Sequence, residues 1–246
     1  MKKVILRPNC VPAYGFLSLV NARLSENDQL QQKKILDCGA GGPVPPLALF
    51  QQHGLECWGI DTSKEQLEKA QQFCEKKDIE LDLREGDMRQ IPFEDGFFDY
   101  VYEHYSMCHL SKVDTAQAVS EMHRVLKTGG YCFLGFISNE TWPRSLFGEE
   151  EGPGEYWGEE GGKKRTLHSL FTDQETDELV SAWEVVQKQK GVQYLRETAE
   201  ETSLSEWMKL YREADCGSSR EDWGTKYERR ADLFHYVHTY YYLKKS

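Results

Sequence analysis

Ile35-Leu36-Asp37-Cys38-Gly39-Ala40-Gly41-Gly42 is the stretch on which the reading of this chain turns. A short apolar run stops at an acidic residue and passes into closely spaced glycines, which lack a Cβ and let backbone N–H groups come close to a bound molecule. Pro45 and Pro46 follow, and either suits the first turn of a helix, where a missing N–H costs nothing. Strand, glycine turn and helix in that order open a βαβ unit.

The pattern continues outward. Leu55 to Ile60 reads as a second strand that stops at Asp61. Thr62 or Ser63, with Glu65 or Gln66 three residues later, is a capping box opening a helix with Leu67, Ala70, Phe73 and Cys74 as its stripe. Ile79, Leu81 and Leu83 alternate with Glu80, Asp82 and Arg84, as in a strand exposed on one side, ending near Gly86-Asp87. Phe97 to Tyr102 is a fourth strand. Ser111 with Asp114 caps a helix whose Val119, Met122 and Leu126 face inward, and Gly129-Gly130 is expected to end it before a buried fifth strand, Tyr131 to Ile137. Alternating strands and helices specify a parallel sheet covered on both faces.

Beyond Ser138 the character changes. Residues 148–162 contain six Gly and six Glu, a composition expected to form a mobile loop and neither helix nor strand. Thr172 with Glu175 opens a helix carrying Leu179, Val180 and Trp183 inward, before a strand at Glu184 to Lys188. Ser203 with Glu206 caps another, with Leu204, Trp207, Met208 and Tyr211 on one face and Gly217 at its end. Phe234 to Leu243 is an aromatic, β-branched last strand. The whole, 1–246, reads as one domain without internal repeats, with a lid insertion at 139–171 and a helical insertion at 191–232.

Composition narrows the function. The 246 residues carry 41 Asp plus Glu against 30 Lys plus Arg, a formal net charge of −11, which disfavours nucleic acid and anionic membranes. Residues 148–162 hold six Glu and no Lys or Arg, so −6 of the −11 belongs to that stretch and the rest of the chain is only mildly acidic. Seven cysteines without a Cys-x-x-Cys pair read as reduced residues of a cytoplasmic protein. The start lacks a signal-peptide pattern, and no run of about 18 apolar residues offers a membrane span.

In a doubly wound sheet, ligands bind beyond the carboxyl ends of the strands. The first end carries Asp37 and the glycines. The second carries Asp61, 22 residues after Gly39, placed to accept hydrogen bonds from both ribose hydroxyls. The third carries Asp87 and Met88, placed to accept from an exocyclic adenine amine. Two cofactors share this arrangement. A dinucleotide wants a small residue where Val44 stands and a helix start free of prolines, so its pyrophosphate is poorly served. A nucleoside with a zwitterionic amino-acid tail needs only a carboxylate such as Asp37 and a few loop N–H groups.

At these residues the chain resembles the class I S-adenosylmethionine-dependent methyltransferases, particularly small bacterial members acting on small molecules or lipids. The resemblance covers roughly residues 30–140 and rests on ILDCGAGG, WGIDTSKEQLEKA, REGDMRQIPFEDGFFDYVYEHYSMCHL and EMHRVLKTGGYCFLGF, in the family's order and spacing. It implies a Rossmann-like, doubly wound seven-stranded sheet, mostly parallel with an antiparallel last strand. It implies S-adenosyl-L-methionine as cofactor and S-adenosyl-L-homocysteine as product. The methionine part would sit on Asp37, Gly39, Ala40 and Gly41, the ribose on Asp61 beside Thr62, and the adenine on Asp87 and the Met88 backbone. Glu103 to His109 would border the sulfonium and the acceptor, while Gln66 and Tyr14 are weaker carry-overs. Pro43 replaces the family's third glycine and is expected to alter the loop's exit while leaving cofactor binding intact.

The implied reaction is in-line methyl transfer to a small-molecule O or N acceptor, which needs no metal and no covalent intermediate. His104, Tyr105 and His109 lie where a general base would, but the ordinary reading of both histidines is as satisfied polar residues, and no catalytic residue is assigned. EHYSMCH offers too few ligands for a metal. A nicotinamide-dependent oxidoreductase and a non-catalytic nucleoside-binding protein remain as alternatives. EHYSMCHL also lacks the Asn/Asp-Pro-Pro-aromatic segment and the Pro-Cys pair of DNA methyltransferases, so nucleic acid is disfavoured by motif too. The acceptor and the oligomeric state are not legible.

Overall fold

A computed structural model describes residues 11–24, 29–160, 163–194 and 235–246. The first strand, β1 (Lys34–Cys38), sits in the middle of the sheet, with β2 (Glu56–Asp61) and then β3 (Asp82–Glu85) parallel on one side. On its other side lie β4 (Phe98–Tyr102) and β5 (Leu126–Ser138), also parallel. The last strand, β10 (His235–Lys244), inserts antiparallel between β5 and β9 (Glu184–Tyr194). The order β3-β2-β1-β4-β5-β10-β9 gives the expected arrangement with its antiparallel final strand, but three further strands joined to β5 make the described sheet ten-stranded where seven strands were expected.

Both faces are covered. On one, α1 (Val11–Ala22), α2 (Leu47–Gln52) and α3 (Lys64–Lys77) share a core with Tyr100, Tyr102, Phe133, Tyr240 and Tyr242. On the other, α4 (Lys112–Val125) and the residues that follow α5 (Asp173–Leu179) pack on Leu36, Val101, Cys132, Leu134 and Tyr241. Tyr240 and Tyr241 thus serve opposite cores, as the two-residue period of a strand requires. The N-caps fall as read: Ser63 accepts from the Gln66 N–H, Ser111 from the Asp114 N–H, and Thr172 forms a full capping box with Glu175.

Four further readings of the sequence need correction. The third strand begins at Asp82 because left-handed Asp78 (φ 58°) ends α3, and the Ile79 N–H folds back onto the Cys74 carbonyl as the apolar closing residue of that cap. Gly129-Gly130 does not end α4. The helix stops at Val125, β5 starts at Leu126, and both glycines lie within the strand, where a Cβ on Gly130 would stand 2.7 Å from the Asp99 carbonyl. Residues 148–160 are no mobile loop: β6 (Glu149–Gly152) and β7 (Glu155–Glu160) pair antiparallel, and β7 pairs with β8 (Lys163–Phe171). Gly148 (φ 99°) and Gly154 (φ 72°) take backbone conformations closed to most residues, so the glycines build this hairpin. Finally, β9 runs on to Tyr194, so 191–194 are strand. The helix read from Ser203 and the rest of that insertion lie outside the described residues, as do Cys10 and Cys216. The first helix, α1, was not foreseen.

The new hairpin has a defined seat. Where β4 stops, β8 takes over its edge of β5 through Ile137–Leu170 and Ser138–Phe171. Tyr156, 5% exposed, packs with Phe147, Ile137, Cys108 and Leu170. No described helix is long and apolar enough to cross a membrane.

Candidate functional site

The turn after β1 is strapped to β2. Gly39 and Ala40 donate their N–H groups to the Ile60 carbonyl at 2.8 and 3.0 Å, and Gly39 holds a left-handed φ of 98°. A side chain on Gly39 would collide with Ser106, and one on Gly41 would stand 2.5 Å from Asp61 Oδ2 and from Gln66 Cβ. The glycines therefore let three loops meet at the carboxyl end of the sheet. Gly42, also left-handed, donates to the Gln66 carbonyl as the chain leaves toward Pro43.

Asp61 is held by two backbone donors, Gly41 N–H to Oδ2 (3.1 Å) and Ser63 N–H to Oδ1 (2.8 Å). Each oxygen keeps a lone pair, so the carboxylate is oriented yet still able to accept from a ligand diol. Thr62 is exposed beside it, and half-buried Gln66 lies against Gly41. Asp37 contrasts with Asp61. It is 2% exposed, its Oδ2 has no hydrogen-bond partner, and burial, with Glu103 and Asp61 nearby, raises its pKa well above the usual carboxylate range. An orphaned buried carboxylate oxygen is costly and calls for a cationic partner.

Asp87 is engaged by its own turn. Oδ1 accepts from the Arg89 N–H at 2.8 Å, and the Arg89 guanidinium forks onto both oxygens, with Nη2–Oδ2 at 2.6 Å. That pair holds the Asp87 pKa below its ordinary value. Arg89 reaches Asp114 as well, at 3.2 Å. Half-buried Met88 packs on the core face of α4.

Glu103 is fully buried and turned onto its own chain. Oε1 accepts from the Ser106 and Met107 N–H groups at 2.9 and 2.7 Å, Oε2 from the Gly135 N–H at 3.4 Å, and burial pushes its pKa up to about 7. Its place is beneath the loop, where it holds Ser106 against Gly39. Tyr14 is 39% exposed on α1, between buried Ala13 and Phe16 two residues on.

The candidate bases separate. His109 Nδ1 lies 2.9 Å from the Leu167 carbonyl of β8, and the Tyr105 hydroxyl 2.9 Å from that of Tyr236. His104 keeps Nε2 buried and unpartnered, with its pKa lowered to about 4 by burial. Sequence reading missed His238, 3% exposed with neither ring nitrogen paired and its pKa lowered to about 3 by burial and by His104. A signal was present: Tyr236, His238, Tyr240 and Tyr242 share one face at period 2.

Comparison with known proteins agrees with this geometry. A methyltransferase-domain family model matches residues 36–134. The uncharacterized methyltransferase YcgJ of Bacillus subtilis is 37% identical over 104 residues, covering 42% of this chain and 40% of that protein. Sterol 24-C-methyltransferase of Pneumocystis carinii is 33% identical over 95 residues, 38% of this chain and 24% of that protein. The matches thus span less than half the length of these curated relatives. A crystal structure of a SAM-dependent methyltransferase from Methanosarcina mazei superposes with a TM-score of 0.65 at 16% identity, covering 98% of this chain and 99% of that one, which shows the shared fold. The family match opens inside β1 and closes inside β5, and the glycine turn and the carboxylates from Asp37 to Glu103 fall within it. Residues 36–134 are thus similar to the methyltransferase-domain family, and the chain shares the fold of a solved SAM-dependent methyltransferase.

Proposed function

We propose that this protein transfers a methyl group from S-adenosylmethionine to an oxygen or nitrogen of a small-molecule acceptor. The observation that carries the reading is the buried, unpartnered Oδ2 of Asp37 at the base of the glycine turn. It suits the ammonium of an amino-acid tail, with Asp61 and Thr62 for the ribose, and Asp87 with Met88 for the adenine. Asp37, Asp61 and Glu103 interact closely enough to raise the Asp37 pKa, and such a carboxylate group repels a pyrophosphate. Pro45 and Pro46 further deprive the α2 start of N–H donors, so a nicotinamide dinucleotide is disfavoured.

The cofactor, when bound, supplies an activated methyl on a sulfonium. The chain's part is to hold and orient it, which in favourable cases supplies about 7–11 kcal/mol of barrier reduction. The segment 139–171 is read as an insertion that walls the acceptor side, with 148–160 as its hairpin. Relatives named for sterol methylation support a small-molecule or lipid acceptor. Calorimetric titration with S-adenosylhomocysteine and with NAD tests the cofactor: binding of the first and not the second is expected, and Asp61→Ala should weaken it. No heat with S-adenosylhomocysteine overturns the reading. S-Adenosylhomocysteine release in an acceptor screen separates an enzyme from a nucleoside-binding protein.

A further inference from the structure

Among the described residues, three imidazole nitrogens are buried beside this site without hydrogen bonds: Nε2 of His104 and both ring nitrogens of His238. A neutral imidazole carries one donor and one acceptor, and native folds leave few such groups unpaired. The rings stand 5.9 Å apart between centroids, His104 on the loop after β4 and His238 in register with Ile137 at the carboxyl end of β5. They therefore lie at the same end of the sheet as the glycine turn. Gly135 makes the room, since a Cβ there would stand 3.2 Å from His104 Cδ2.

Aromatic rings surround the pair. Tyr240 lies 5.8 Å from His104 and stacks parallel to His238 at 5.5 Å, with Tyr236 at 4.9 Å and Tyr105 at 5.6 Å from His238. The nearby carboxylate, Glu103, is spent on the N–H groups of Ser106, Met107 and Gly135. Among the described residues no His, Cys, Asp or Glu completes a metal-binding group. Flat π-faces favour a planar ligand, and orphaned ring nitrogens favour one with a hydroxyl to donate. Burial that keeps both imidazoles uncharged provides no counter-charge for an ammonium acceptor.

We propose that His104 and His238 face the methyl acceptor, that the acceptor is a planar phenol-type compound, and that the pair takes its hydroxyl proton during transfer. The assignment rests on the methyltransferase reading above. As the oxygen pair forms the new O–CH3 bond the hydroxyl becomes strongly acidic, and the O–H bond breaks with its proton passing to an imidazole nitrogen that burial has left a weak base. The S–CH3 bond breaks with its pair left on sulfur, and the imidazolium returns the proton to water.

The test uses the full chain with S-adenosylmethionine, reading S-adenosylhomocysteine release with catechol, 4-methylumbelliferone, 4-nitrophenol and, as the amine arm, dimethylethanolamine. Turnover of at least one phenol and not of the amine is expected. His104→Phe and His238→Phe should lower kcat about 100-fold on catechol, with KM and S-adenosylhomocysteine affinity within about threefold. The loss should shrink to about tenfold or less on 4-nitrophenol, whose hydroxyl is about half ionised at neutral pH and needs a base least. His104→Asn and His238→Asn replace any Phe variant that fails a thermal-unfolding check. The proposal is overturned if a protein that binds S-adenosylhomocysteine turns over no phenol, prefers the amine, loses only KM, or loses the same factor on every phenol. Failure of the wild-type protein to bind S-adenosylhomocysteine sinks the methyltransferase reading itself, and this proposal with it.

Discussion

The Gly41 N–H donates to Oδ2 of Asp61 over 3.1 Å, and a methyl group on Gly41 would stand 2.5 Å from that same oxygen. The glycine turn and Asp61 are thus a single unit, and the methyl of Gly41→Ala displaces the carboxylate. We expect S-adenosylhomocysteine affinity to fall about tenfold or more, equivalent to about 1.4 kcal/mol, by calorimetry. An unchanged Kd would remove the turn from the cofactor site.

Asp87 accepts a forked pair from Arg89 and is kept ionised by it. Asp87→Asn keeps the shape but exchanges an acceptor for a donor, so the adenine amine should lose its partner. Affinity for S-adenosylhomocysteine should drop by about 1.5–3 kcal/mol while S-inosylhomocysteine, which lacks that amine, loses less. Equal losses for both compounds would place the adenine elsewhere.

Glu103 bears on pH. Its carboxyl titrates at about 7 in the fold against about 4.5 in the unfolded chain, so between those values the folded state holds a proton that the unfolded state has released. Stability from this group is therefore lost as pH rises from about 4.5 to about 7. Asp37 is shifted the same way and adds to the slope. Relative to wild type, Glu103→Gln should gain Tm progressively across that window, by several degrees, in melts at pH 5, 6, 7 and 8. A constant difference would mean that Glu103 does not titrate there.

Tyr156 fastens the β6–β7 hairpin to Phe147, Cys108, Ile137 and Leu170. Tyr156→Ala should cost that seat about 3 kcal/mol. Local opening governs cleavage, so limited proteolysis within 148–160 should accelerate at least tenfold while the remaining sheet stays resistant. Unaltered cleavage would mean that the hairpin is held by its strand pairing alone.

Phe16 fastens α1. Its ring lies between 6.0 and 6.5 Å from those of Phe50, Tyr100, Tyr102, Phe133 and Tyr242, and it is fully buried. Phe16→Ala should destabilise the protein by about 3–5 kcal/mol, lowering Tm by roughly 10 °C. A small shift would show that α1 contributes little to the fold.

The helices of the cofactor half were legible because their signals are local. Ser63, Ser111 and Thr172 each meet an N–H three residues on, a relation written directly in residue spacing. Helix α1 was not, since Pro12, Gly15 and Ser18 interrupt its pattern and its helicity depends on the sheet beneath it. Glycine misled twice, at 129–130 and at 148–162, because composition alone does not tell a breaker from a residue admitting close approach or a left-handed turn.

The proposed cofactor side of this domain was therefore encoded within residues 35–87. An acidic residue at each strand end and glycines at positive φ are short-range demands that leave a spacing behind. The acceptor side was not. His104, Gly135 and His238 meet only because β10 inserts antiparallel between β5 and β9, bringing residue 238 opposite residue 137. Strand insertion is a choice among long-range pairings, set by which apolar faces pack best, and no local period records it.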